Sequence, residues 1–187
     1  NHVGEIGFLS NIAKPDMAIL TNIGMAHIEG FGSKENIIKT KKELFEFVKN
    51  NQNEKSHIFV NTDDEVLREE DFSKKTTYSL KTNADISAKA CSENGYAQII
   101  FKDCVITSNL VGIYNAYNIL AALTIGLHFG VEIQKIKEAI ENYVPSNNRS
   151  QILKTQTNTL ILDCYNANPS SCSSAVEAFA NMQANRK

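Results

Sequence analysis

Four consecutive apolar residues, Met17-Ala18-Ile19-Leu20, run straight into a stretch, residues 21–32, that holds three glycines and no hydrophobic period. Beyond it, from Ser33 to about Lys49, apolar side chains recur at helical spacing, with Ser33 as the N-cap. A short unbroken apolar run suits a strand buried on both faces, because a half-exposed strand would alternate. The order strand, glycine-bearing loop, amphipathic helix predicts an open α/β sheet. In such sheets ligands bind beyond the carboxyl ends of the strands, which puts residues 21–32 first among the functional candidates.

The rest of the chain extends this pattern and then changes texture. Residues 1–16 read as loop and a short helix ending at Pro15. Residues 57–60 read as a second strand, followed by the polar turn Asn61-Thr62-Asp63-Asp64 and a short helix to about Glu70. From Thr76 to about Val111, alternating segments separated by Glu93-Asn94-Gly95 predict an antiparallel hairpin or meander. Helices are predicted over 115–129 and 133–143, joined across Gly130, and residues 144–148 read as a linker. Residues 159–163 read as a strand with no second strand to pair with. A polar loop and an apolar-periodic helix (Ala175, Phe179, Met182) follow, the opening of a second domain. The chain starts at Asn1 rather than Met, and the last helical pattern runs into Lys187, so both ends are read as cut from something longer.

Composition narrows the class. At 42% hydrophobic and 21% charged, the 187 residues can bury a core, which excludes wholesale disorder. A net charge of −2 lacks the basic excess of a nucleic-acid or anionic-membrane binder. No apolar run approaches the roughly 20 residues of a membrane-spanning helix. The four cysteines, Cys91, Cys104, Cys164 and Cys172, form no CxxC pair, so a zinc site or disulfide framework is not expected.

One side chain breaks the pattern of its own helix. Ile37, Leu44 and Val48 mark one face, Ile38 and Phe45 widen it, and Lys41 falls in its middle. A lysine there must snorkel, find an anion, lose its proton or be modified. A neutral amine can take up CO2, and the resulting carbamate is an oxygen anion suited to Mg2+. His27 stands 14 residues earlier, in the glycine-bearing loop. Snorkelling for Lys41 and plain surface for His27 remain open on the pattern alone.

Several separated runs together resemble a known family. Asn1-His2-Val3-Gly4-Glu5-Ile6, then residues 21–33 (TNIGMAHIEGFGS), then Lys39-Thr40-Lys41-Lys42-Glu43-Leu44 are similar to the central domain of the Mur ligases. Asn115-Ala116-Tyr117-Asn118-Ile119-Leu120-Ala121-Ala122 and Asp163-Cys164-Tyr165-Asn166-Ala167-Asn168-Pro169 agree, in the same order. The NHxGEI and YNANP runs are most similar to the branch that works on UDP-N-acetylmuramoyl-tripeptide and D-alanyl-D-alanine.

The resemblance implies a central P-loop-type α/β ATPase domain over 1–145, lacking its P-loop segment. The first β–α unit of a Rossmann-like C-terminal domain would follow over 146–187. It implies ATP as the nucleotide, phosphorylation of the substrate's terminal carboxylate, and displacement of phosphate from the acyl phosphate by an incoming amine. His27 and a carbamylated Lys41 would help hold one of two Mg2+ ions. Asn118 would contact adenine, Arg149 the nucleotide at the domain junction, and Asp163 the ribose region. Asn166 and Asn168 lie in the same loop and are equally turn formers before Pro169. Asn1 and His2 would lie near the muramyl-peptide substrate. A monomeric enzyme of the bacterial cytoplasm is expected, with no nucleic-acid partner.

Departures are as informative. No GxxGKT run occurs anywhere in the chain, so the backbone cradle for the phosphates is missing and the 187 residues alone are expected not to catalyse. Met25 replaces a frequent proline, and Ile113-Tyr114 stands where relatives often carry Arg-His. Competing readings are another Mur or folyl-polyglutamate-type amide ligase, and a non-catalytic homologue serving as a binding subunit.

Overall fold

The structure, a computed structural model, describes residues 2–24, 28–146, 148–165 and 169–182. The chain divides into two compact units, residues 1–87 and 88–187. This division follows which elements touch within the chain. It is a different quantity from the ligase-domain boundary expected after residue 145.

The first unit is a parallel sheet with helices. Its strands β1 (Met17–Leu20), β2 (His57–Asn61), β3 (Lys75–Ser79) and β4 (Ile86–Ser87) lie in that order, every pair parallel. Helix α1 (Glu5–Ala13) precedes β1, a one-turn α2 (Ile28–Phe31) interrupts the loop, and α3 (Lys34–Asn50) carries the chain from β1 to β2. Ser33 caps α3 as its sequence requires, its hydroxyl accepting from the Asn36 amide at 3.2 Å. The apolar face of α3 closes the core: Phe45 and Val48 pack with Ala18, Ile58, Val60, Leu67 and Phe72.

Two expectations for this unit are corrected. The predicted short helix over 65–70 is a series of turns with one α-type bond, Arg68 N–H to the Asp64 carbonyl, and one tighter bond, Glu70 N–H to the Leu67 carbonyl, because Asp64 ties up the first amides of the segment from its side chain. The stretch from 76 onward is not all antiparallel meander, since β3 and β4 extend the parallel sheet. Both strands are too short or too polar for a period to report their direction, which the strands beside them set. The loop after β1 also holds α2, which its lack of period had concealed.

The second unit opens with an antiparallel meander, β5 (Lys89–Glu93), β6 (Tyr96–Phe101) and β7 (Cys104–Val111). A 3-10 turn (Ile113–Asn115) leads into α4 (Ala116–His128), then α5 (Ile133–Asn142). Gly130, at φ +70°, supplies the left-handed residue that ends α4. Strand β9 (Thr159–Leu162) is not unpaired as expected. It pairs antiparallel with β8 (Gln151–Lys154), whose short polar-ended run carries little periodic signal. Helix α6 (Pro169–Asn181) follows.

The carboxylate of Glu70, 3% exposed, anchors the far end of α3. Lys42 Nζ lies 2.6 Å from Oε1 and Lys49 Nζ 2.5 Å from Oε2, while Lys75 Nζ donates to the Glu70 carbonyl at 2.6 Å. Burial pushes the Glu70 pKa up, but the two ammonium groups outweigh it and hold the carboxyl below its usual range. A lowered folded-state pKa contributes stability that is full above the unfolded value of about 4.3 and is lost as pH falls through the folded value. Glu70→Gln is therefore expected to lower unfolding free energy by about 2 kcal/mol at pH 7. Urea melts at pH 7 and pH 3 check this. The difference between variant and parent should shrink at the lower pH, and a difference independent of pH would refute the assignment.

Candidate functional site

Three polar side chains after β2 tie together the carboxyl ends of the parallel strands. Asn61 Nδ2 donates to the Thr21 carbonyl at 2.9 Å, and Asp64 Oδ2 accepts from the Ile23 amide at 2.8 Å, so the loop leaving β1 is held from both sides. Asp63 holds the loop leaving β3, accepting from Ser79 Oγ at 2.6 Å and the Leu80 amide at 2.7 Å. Asp64 Oδ1 accepts from the Val66 and Leu67 amides at 3.0 and 3.1 Å. Short Asn and Asp side chains reach nearby backbone groups in this way. Sequence reasoning took these residues only as a turn; three such residues in four positions at a strand end were the available signal.

Lys41 reaches the loop they hold. Its side chain is half-buried on α3 and Nζ donates to the Asn22 carbonyl at 3.3 Å. Burial lowers its pKa and the Asp64 carboxylate works against that, leaving it below the ordinary lysine value. Beside it, the Thr40 hydroxyl is fully buried with no partner among the described residues. A half-buried amine held at a neutral carbonyl fits the group that could lose its proton and bind CO2. His27, which sequence reasoning paired with it, lies outside the described residues. So do Asn1, Asn166 and Asn168. His2 is exposed at the start of α1, its amide donating to Glu5 Oε2 at 2.9 Å. Among the described residues no three His, Cys, Asp or Glu side chains converge as a metal site.

The second unit brings Asn118 and Asp163, two of the residues expected at a nucleotide, into one hydrogen-bonded cluster, with Arg149 next to it. Asn118 Nδ2 donates to Asn115 Oδ1 at 2.9 Å, and Asn115, 6% exposed, donates to the Val111 carbonyl at 2.8 Å and to Ser150 Oγ at 3.5 Å. The Ser150 amide donates to Asp163 Oδ1 at 3.3 Å, and Tyr114 O–H donates to Asp163 Oδ2 at 3.0 Å. Asn148 and Ser150, at φ +53° and +51°, flank Arg149 in left-handed conformations. Such backbone costs of the order of 1 kcal/mol per residue and persists where surrounding contacts fix it. Here the Cys164 amide bonds the Asn148 carbonyl at 2.9 Å. Arg149 emerges with its guanidinium 4.0 Å from the Tyr165 ring centroid. Asn115, Ser150 and Tyr114 are the members that sequence reasoning missed. An amide, a carboxylate, a guanidinium and an aromatic face are the groups that recognise a base and a sugar, so the cluster fits a nucleoside.

Comparison with known proteins follows the same lines. The model of the Mur ligase middle domain matches residues 1–126. The UDP-N-acetylmuramoyl-tripeptide–D-alanyl-D-alanine ligases of Treponema pallidum and Bacillus subtilis are 30% and 28% identical, over 98% and 96% of this chain and 39% of each relative. The crystal structure of the MurF ligase of Thermotoga maritima in complex with ADP superposes with TM-score 0.77 at 25% identity, covering 95% of this chain and 42% of that one. The chain belongs to the Mur ligase family. It spans about two fifths of the length of these relatives.

The turn after β2 can be tested by itself. Asp64→Ala leaves the Ile23, Val66 and Leu67 amides without their acceptor, and unfolding free energy should fall by about 2 kcal/mol. Hydrogen exchange at those three amides should accelerate together. Unchanged exchange at Ile23 would mean that Asp64 does not hold the loop.

Proposed function

We propose that this chain is the middle portion of an ATP-dependent ligase that joins D-alanyl-D-alanine to UDP-N-acetylmuramoyl-tripeptide in peptidoglycan synthesis. The observation that carries the reading is Lys41: a half-buried amine held at the carboxyl end of a parallel sheet, in a chain whose curated relatives are named for that reaction. Residues 1–145 then belong to the central ATP-binding domain and 146–187 to the start of the C-terminal one. The phosphate cradle lies outside these 187 residues.

Each candidate has a task in this reading. Lys41, once neutral, attacks CO2 through Nζ; the N–C bond forms and the displaced proton leaves to solvent, giving a carbamate. That carbamate, with His27, would hold Mg2+. Bound Mg2+, two ions in the whole enzyme, neutralises charge where a phosphoryl group and a carboxylate approach one another. Asn61 and Asp64 hold Thr21 and Ile23, and the Asn22 carbonyl between them holds Lys41 of α3. Asn118, steadied by Asn115, offers its second N–H and its carbonyl to adenine. Arg149 stacks or forks onto the nucleotide, Asp163 takes ribose hydroxyls, and Asn166 and Asn168, three and five positions further along the chain, are candidates for the same ligand. Asn1 and His2 approach the muramyl peptide. The amine of D-alanyl-D-alanine then attacks the carbonyl carbon of the acyl phosphate: the C–N bond forms, the C–O bond to phosphate breaks, phosphate leaves and the amine gives up a proton to solvent.

The test uses the full-length protein encoded by the reading frame that holds this chain. ATP-dependent phosphate release should require both the UDP-linked tripeptide and D-alanyl-D-alanine, and the 187 residues alone should release none. Release by the full-length protein with a different amine acceptor, and not with the dipeptide, would move the assignment to another ligase of the family. Native mass spectrometry in bicarbonate should find one added CO2 on Lys41, lost on acidification. Lys41→Ala should lower kcat on the order of a hundredfold. An unmodified Lys41 in the full-length protein with Mg2+ and nucleotide would overturn the carbamate.

A further inference from the structure

Tyr114 has no part in the mechanism above. Its phenol oxygen lies 3.0 Å from Asp163 Oδ2 and 3.1 Å from Ser150 Oγ. The Ser150 amide reaches the other carboxylate oxygen at 3.3 Å. Among the described residues each oxygen of Asp163 has one donor, and a carboxylate accepts about four hydrogen bonds. The two bonds set the carboxylate plane and leave lone pairs on both oxygens that these donors do not use. A pair of neighbouring hydroxyls is the ligand group that matches two such oxygens.

The phenol is held both at its tip, by hydrogen bonds, and along its ring, which packs on Gly112. The ring lies so close to Gly112 that a Cβ there would stand 2.3 Å from it, an approach only glycine permits. Elsewhere Tyr114 helps wall a cavity of about 420 Å³ together with Ser92, Asn94, Gly95 and Ser174. Burial, with a further contribution from the Asp163 charge, raises the phenol above its ordinary pKa despite the opposing Ser150 bond, so at neutral pH it is a donor.

We propose that Tyr114 is a positioning residue for the ribose of a bound adenine nucleotide: with the Ser150 amide it orients the Asp163 carboxylate to accept the 2′- and 3′-hydroxyls. The proposal rests on the assignment of Asp163 to the ribose made above. It makes a demand that a merely structural tyrosine does not, because its effect must vanish when the ligand has no diol.

Calorimetric affinities for ADP and for 2′,3′-dideoxy-ADP, in the full-length protein, test it. Tyr114→Phe should weaken ADP roughly fivefold and leave dideoxy-ADP unchanged. Tyr114→His, which keeps an N–H donor, should recover most of the ADP affinity and serves if the phenylalanine variant does not fold. Equal losses for both nucleotides, or none, would overturn the role of Tyr114. Asp163→Asn separates the two levels. If it weakens ADP selectively while Tyr114→Phe does not, only the Tyr114 inference falls. If it leaves ADP binding intact, the ribose assignment of Asp163 itself falls.

Discussion

The first unit depends on the problem every parallel sheet has at its carboxyl ends, where strand carbonyls and loop amides emerge with no ladder to satisfy them. Asn61, Asp63 and Asp64 solve it by bonding the loops on either side of β2 directly. Because these three residues are consecutive or nearly so, one turn sets the positions of two others. The loop leaving β1 is held at Thr21 and Ile23, and Lys41 donates to Asn22 between them. Lys41 and the structural turn therefore meet on a three-residue stretch of backbone.

The second unit applies the same economy with different groups. Buried Asn115 sits at the corner between β7 and α4 and bonds outward to Val111, Asn118 and Ser150. Ser150 in turn connects to Asp163 and Tyr114. Side chains separated by up to 49 positions thus share one network. Its strained members, Asn148 and Ser150, stand on either side of Arg149. Backbone strain at a residue read as a ligand contact is what a pre-set site would carry, since the contact geometry is then settled before the ligand arrives.

Where sequence reasoning missed elements, the reasons are physical and differ. Residues 65–70 have helical composition, yet Asp64 captures the amides that a helix would need, so local propensity lost to a side-chain acceptor. Strand β3 is a polar run, Lys75 to Ser79, with no alternation of its own, and it pairs parallel with β2 because its neighbours in space decide its direction. Strand β8 carries no period to detect and exists through its pairing with β9. Of the site, Lys41 was legible because it violates the apolar face of α3. Tyr114, Asn115 and Ser150 were not, because each is ordinary for its local segment.

The sequence by itself determined the α/β class, the capped amphipathic helix with its misplaced lysine, and the collinear runs that mark the Mur ligases, since these are properties of residues near one another in the chain. Only the tertiary structure decided that Lys41 donates to the Asn22 carbonyl, with the Asp64 carboxylate near by, and that Asp163 is held by Tyr114 and Ser150. Hydrogen bonds and burial depend on which groups arrive within about 3 Å from distant positions, and no local pattern of residue types encodes that arrival.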